Sequence, residues 1–325
     1  TMNSLYPLEN GMVFAQYSSN SYDDIFALYD DAGYYTMYMH GNVGSFWNRK
    51  NIYRLLAIDE TDFIENFDPD SERINDWLSD EALYRQAVQK LKNADETSGP
   101  FFASIVSASC HNGFDLPGLD NKYDKVSIDV GEYKDTYFGN YLEAANYADY
   151  AFGIFIDELK QNGLYDNTVI FLFGDHYAMQ MYNEEMLEFI AKTDHTYNNV
   201  ETEINYINVV CGMRIPGVQN MEITKTISKL DIKPTLTYIS GIEDGFSLGA
   251  NMFGNKDFAC TNNGVIVTDE YYYNGEWFDR ADGEKIDVSE IDEVLKRRLD
   301  FYVDSMEEEL TISNSVVLNN LLKQD

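Results

Sequence analysis

The stretch "TVIFLFGDHYAM", residues 168–179, sets the problem. A run of β-branched and aromatic side chains reads as a buried strand. It breaks at Gly174 and delivers Asp175 and His176 with no spacer. Open α/β sheets bind ligands beyond the carboxyl ends of their strands. A carboxylate and an imidazole at such an end can therefore serve as donors to one ion. On spacing alone, a turn-capping Asp beside a surface His explains the pair equally simply.

Working outward, strands alternate with helices. "YDDIFALYDDAG" (22–33) reads as a short helix stopped at Gly33, and "YYTMYMH" (34–40) as the strand after it. "PFFASIVSAS" (100–109) is a second strand. A long helix is expected from about Asp135 to Asn162, with Phe138, Leu142, Ala145, Phe152, Ile156 and Leu159 on one face and Gly163 just past its end. "TVIFLF" is the third strand and "NYINVVCGMRIPG" (205–217) the fourth. "ITKTISKLDIKPTLTYISGI" (223–242) reads as helix interrupted before Pro234. The alternation implies an α/β fold, a mostly parallel sheet with helices on both faces.

The texture changes near residue 246. "GVIVTDEYYYNGEWFD" (264–279) is a hairpin turning at Asn274-Gly275. Ser289 is expected to cap a helix carrying Ile291, Leu295, Leu299, Tyr302 and Met306. The expected division is an α/β domain over 1–245 and a small C-terminal α+β subdomain over 246–325. The acid-rich "DSMEEEL" (304–310) is a solvated helix face.

Of 325 residues, 56 are acidic and 23 basic, a formal charge of −33. Such a surface repels nucleic acid and anionic bilayers, so an anionic substrate needs a local positive feature. Hydrophobic residues at 44% supply ample core. Cys110, Cys211 and Cys260 are isolated and form neither a zinc cluster nor a disulfide framework. Cys110 beside His111 reads as a buried filler rather than a nucleophile. No apolar run reaches the length of a membrane span.

Three strand ends carry polar chemistry. His40, His111 and His176 each lie at or just past one of them, and parallel strands present those ends on one edge. Asp175 and His176 suit Mn²⁺, with Zn²⁺ and Mg²⁺ as alternatives, because Mg²⁺ is the least comfortable with imidazole. Arg49, in "FWNR" (46–49), offers a planar donor fork for a phosphate or sulfate; a surface Arg covering Trp47 is the plain alternative. His195 has no partner pattern and reads as a loop residue.

"NSLYPL" (3–8), "MHGNVGSFWNR" (39–49), "NGLYDNTVIFLFGDHY" (162–177) and "DIKPTLTYISGI" (231–242) together resemble the extracellular domain of lipoteichoic acid synthases. These are phosphoglycerol transferases of the sulfatase fold, in the alkaline phosphatase superfamily. The resemblance runs from Asn3 to about Phe278. It implies a divalent metal, usually Mn²⁺, whose Asp and His ligands correspond to Asp175 and His176. It implies a substrate-holding and catalytic His at His111, and a headgroup pocket lined by Trp47 and Arg49. Asn42 stands where the family commonly has Asp, and an amide there hydrogen-bonds a glycerol hydroxyl without bringing charge.

The family's nucleophilic Thr and its Glu ligand lie upstream of the position matching Thr1. The resemblance therefore implies a truncated piece of the catalytic domain, weak in metal affinity and inactive alone, from a membrane-anchored parent. Contact with the membrane would come only through that missing segment. The implied reaction moves glycerophosphate from phosphatidylglycerol, through a phospho-Thr, to a polyglycerophosphate or glycan acceptor, at the extracellular face of the cytoplasmic membrane. A sulfatase or phosphoethanolamine transferase of the same fold, and a non-catalytic glycerophosphate-binding module, are the alternatives.

Overall fold

A computed structural model of the chain describes residues 3–6, 16–119, 122–177, 179, 183–193 and 198–323. Thr1 and His195 lie outside the described residues, as do the last two positions of "NSLYPL". The chain forms two compact units, one of residues 29–189 and 209–219, the other of 1–28, 190–208 and 220–325.

Helix α1 (Ile25–Asp31) ends before Gly33, whose φ of 85° turns the chain into β1 (Tyr35–His40). In the first unit, β1 lies between β2 (Glu60–Asp62) and β3 (Phe101–Val106) and runs parallel to both. Its residues Met37 and Met39 are fully buried, as a central strand of an α/β sheet requires. The β1–β3 register pairs Tyr35 with Phe101 and His40 with Val106, so the two strands leave the sheet together.

Between β2 and β3 runs α2 (Asp80–Thr97), a helix the expectations above leave out. Ser79 caps it by accepting the Ala82 N–H, Asp80 and Glu81 sit in its first turn, and Leu83, Ala87, Val88, Leu91 and Ala94 are buried at helical spacing. It packs against α3 (Tyr137–Gln161), the expected long helix. The buried stripe of α3 is Phe138, Ala144, Tyr147, Ala151, Phe155 and Leu159. Leu142, Ala145, Phe152 and Ile156 are only half-buried, so the face is rotated from the one expected. The reason is steric. Small Ala side chains let the helices approach, while the Tyr147 hydroxyl accepts the Glu81 N–H at 3.3 Å.

β4 (Ile170–Phe173) confirms the third strand, but its partner is β5 (Cys211–Arg214), antiparallel, in a separate two-stranded ribbon. The expected strand at 205–217 begins late. Asn198 accepts the Glu201 N–H and starts helix α4 (Asn199–Ile207), which buries Val200 and Ile204 one turn apart.

In the second unit, α5 (Ile232–Ser240) starts where an interruption was expected. Pro234 falls in its first turn, where an N–H has no partner to lose. A four-stranded antiparallel meander follows, β6 (Phe258–Cys260), β7 (Ile266–Thr268), β8 (Tyr271–Tyr273) and β9 (Trp277–Asp279). Gly275, at φ 104°, makes the expected β8–β9 turn. The last helix, α6 (Glu293–Asn319), is capped by Asp292 rather than Ser289. The Asp292 carboxylate accepts the Val294 and Leu295 N–H groups, whereas Ser289 donates to Asp287.

Leu299, Tyr302 and Met306 of α6 pack with Phe258, Ile266, Trp277, Leu230 and Tyr6. That core joins residues from both sides of position 246, so contacts do not divide the chain at 245/246. Among the described residues no helix is long and apolar enough to cross a membrane.

Two glycines of α3 should respond oppositely to alanine. A Cβ on Gly139 would sit 1.9 Å from the Tyr133 carbonyl oxygen, whereas one on Gly153 would meet nothing within 4 Å. Gly153→Ala should gain about 1 kcal/mol from helix propensity. Gly139→Ala should lose about 2 kcal/mol or more through overpacking. Thermal unfolding of the two variants reads both signs.

Candidate active site

The loop after β1 is built tightly. A Cβ on Gly41 would press on Leu78, and one on Gly44 would come within 2.7 Å of the Phe63 ring, so the backbone lies flat on its support. Asn42 is buried, 3% exposed, and its Oδ1 accepts the Val43 N–H at 2.6 Å. Trp47 and Asn48 both adopt left-handed backbone, with φ of 53° and 57°. For a bulky Trp this conformation is strained, and such strain persists only where the surroundings impose it. Its ring is 72% exposed and stacks on Phe46 at 5.8 Å.

Arg49 follows directly, its guanidinium 5.3 Å from the centre of the Phe46 ring. Its Nη1 is buried and, among the described residues, has no hydrogen-bond partner. A buried charged donor is costly to leave unpaired, and an anionic acceptor is the chemistry that would satisfy it.

His40 closes β1. Its ring is 4% exposed, and the nitrogen Nδ1 lies 2.8 Å from the Val106 carbonyl, which makes Nδ1 the donor. Burial pushes its pKa down to about 4, and the bond to Val106 opposes that shift. Three further charges reach the ring: Arg49 and His111 lower its pKa, and Asp175 raises it. The Tyr38 hydroxyl, raised first by burial and next by Tyr53, likewise senses Arg49 and Asp175. The charges of Arg49, His111 and Asp175 are thus all felt at the carboxyl end of β1.

His111 is held from behind. Asp80, 1% exposed at the start of α2, accepts the Ala108 and Ser109 N–H groups at 2.9 and 3.1 Å. This fixes the turn after β3. The His111 ring packs edge-on against Trp77 at 4.7 Å and remains solvent-accessible. Cys110 is a half-buried thiol pushed up to about 12, chiefly by desolvation, which leaves it a poor nucleophile.

Gly174 has no room for a side chain, since a Cβ would meet Val209 at 2.8 Å, and its N–H donates to Val210. The chain then projects Asp175 and His176 outward, with side chains 73% and 64% exposed. His176 Nδ1 lies 2.7 Å from the Tyr177 carbonyl, so Nε2 carries the lone pair, 3.7 Å from Asp175 Oδ1. An oxygen and an imidazole nitrogen presented together suit a divalent cation. The set is partial. Among the described residues no three His, Cys, Asp or Glu side chains gather as a metal site.

Residues 1–236 match the sulfatase family. The chain belongs to the sulfatase family. This sulfatase-family chain is 29% identical over 329 residues to lipoteichoic acid synthase 1 of Bacillus subtilis (strain 168), covering 99% of itself and 48% of that protein. It is 26% identical over 331 residues to the lipoteichoic acid synthase of Staphylococcus aureus (strain NCTC 8325 / PS 47), again covering 99% and 48%. It therefore spans about half the length of these relatives.

Among solved structures, the lipoteichoic acid synthase LtaP from Listeria monocytogenes superposes with a TM-score of 0.80 at 26% identity, over 98% of this chain and 78% of that one. An alkaline phosphatase superfamily protein from Vibrio parahaemolyticus gives 0.76 at 18% identity, over 100% and 75%. That second likeness supports the fold alone.

Asp80, Phe46 and Tyr38 were not legible as site residues. Asp80 in "LSDEALYRQ" announces itself only as helix-start chemistry, and its grip on the His111 turn is a long-range contact. The buried His40 carries a pH signature. Folded His40 resists protonation until about pH 4, while the unfolded ring takes its proton near the ordinary value of 6.5. The contribution is present above 6.5 and is lost as pH falls towards 4, by about 3 kcal/mol in all. Buried carboxyls such as Asp80 titrate in the opposite sense. The check is therefore the difference between wild type and His40→Gln, whose stability should fall less steeply from pH 7 to pH 4.5.

Proposed function

We propose that this chain carries the glycerophosphate-handling part of a phosphoglycerol transferase. In this reading glycerophosphate moves from phosphatidylglycerol to a hydroxyl of a polyglycerophosphate or glycan acceptor, on the outer face of the cytoplasmic membrane. The observation that carries it is the buried Nη1 of Arg49, without a partner among the described residues and in electrostatic reach of the same histidine as Asp175 and His111. Similarity to proteins named lipoteichoic acid synthases across 99% of the chain supports glycerophosphate over other anions.

Each residue then has a physical task. The Arg49 fork pairs with the non-bridging phosphoryl oxygens and neutralises charge that grows as the P–O bond to diacylglycerol breaks. His111, exposed and ring-packed on Trp77, exchanges a proton with a substrate oxygen. Trp47 lines the headgroup. Asn42 has its oxygen engaged by Val43, which leaves the amide NH₂ for a glycerol hydroxyl. Asp175 and His176 would hold a divalent ion, Mn²⁺ by ligand type, completed by donors that the described residues do not supply. Such an ion, when bound, withdraws charge from the phosphoryl group and acidifies a hydroxyl. The nucleophilic Thr of the family pattern is assigned to no residue here.

Calorimetry with sn-glycerol phosphate is the test. Arg49→Lys should weaken binding about tenfold to a hundredfold by removing a bidentate, charge-assisted pair. Asp175→Asn should abolish any Mn²⁺-dependent gain. Binding indifferent to Arg49→Lys would remove this reading, and tighter binding of sulfate or phosphoethanolamine would move it to another sulfatase-fold chemistry.

A further inference from the structure

The segment around Arg49 differs in charge from the rest of the chain. Residues 32–58 contain no Asp or Glu, in a protein with 56 of them. Arg49, Lys50 and Arg54, three of the 23 basic residues, fall within this window. The same loop holds a concentration of exposed apolar side chains: Val43 at 38%, Phe46 at 41%, Trp47 at 72% and Leu55 at 59%. Lys50 and Arg54 are exposed too. Glu65, whose carboxylate accepts the Gly44 N–H, is one acid seated at the loop's base.

We propose that the 43–55 loop docks on the surface of an anionic phospholipid bilayer. The charge complementarity is local and directional. At physiological salt the Debye length is about 8 Å, so a bilayer facing this loop senses its cations while acids farther round the molecule are screened. Acid-rich faces brought up to the membrane are repelled, which favours an orientation with the loop downward. Exposed Trp, Phe and Leu flanked by Lys and Arg is the composition that seats at the headgroup level. The overall charge of −33 therefore opposes contact between acid-rich surface and an anionic bilayer, and this acid-free loop escapes that repulsion. A lipid headgroup entering the Arg49 pocket would then arrive from a bilayer already in contact with the rim. The inference goes beyond the transferase reading and does not need it, because Lys50, Arg54 and Leu55 have no role in the pocket.

The test is co-sedimentation of the chain with phosphatidylcholine vesicles, with and without phosphatidylglycerol, at low and high salt. The chain should sediment with the phosphatidylglycerol vesicles at low salt, be released by high salt, and ignore pure phosphatidylcholine. Lys50→Glu with Arg54→Glu should weaken vesicle binding about thirtyfold or more, given the worth of each cation near an anionic surface. Leu55→Ser should weaken it less. Both variants should bind soluble sn-glycerol phosphate as wild type does, which separates this surface from the headgroup pocket. Absence of sedimentation, equal sedimentation of the charge-reversed variant, or release by excess soluble glycerophosphate would each overturn the proposal.

Discussion

The pairing of β1 with β3, in parallel and in register to their last residues, is the constraint on which the site depends. His40 opposite Val106 ends both strands at one level, and the ring's bond to the Val106 carbonyl ties the two together. The loops bearing Arg49 and His111 follow these two strands, and the charge of Asp175 is felt at the His40 ring. The ring is buried and neutral, so it serves the site as a rigid post rather than as a charge. A protonated imidazole there would forfeit its solvation and face Arg49, and the attraction of Asp175 does not offset that loss.

Local support for each loop is steric and polar in equal measure. Gly41, Gly44 and Gly174 lie where a Cβ would collide with Leu78, Phe63 and Val209, and this fixes the backbone path before any side chain acts. Asp80 then holds the turn before His111, and Phe46 underlies the Arg49 guanidinium. Strain at Trp47 and the Arg49 nitrogen that lacks a partner among the described residues fall on adjacent elements of the same loop. Both are features that a stability-optimised loop would lack, and strain of this kind clusters where ligands are held.

Much of this was legible in the sequence because it is local. The strands at 35–40, 101–106 and 170–173, the helix at 137–161 and the Asn274-Gly275 turn follow from periodicity and turn chemistry. The family pattern pointed to Arg49, His111, Asp175 and His176 through motif order. What stayed hidden was non-local. The partner and direction of the strand at 211–214, the rotation of α3 towards α2, and the grip of Asp80 on the His111 turn depend on neighbours distant in sequence. Ser289 lost the cap to Asp292 because two carboxylate-accepted N–H bonds outweigh a hydroxyl three residues earlier.

The central claim is that Arg49, His111 and Asp175 act on one place at the end of β1. The direct measurement is the NMR titration of His40, with its pKa near 4, in wild type and three single variants. Arg49→Gln and His111→Gln should raise that value and Asp175→Asn should lower it, with the fold intact in each. A His40 titration that none of the three substitutions moves would show that these loops do not meet, and the site described here would not exist.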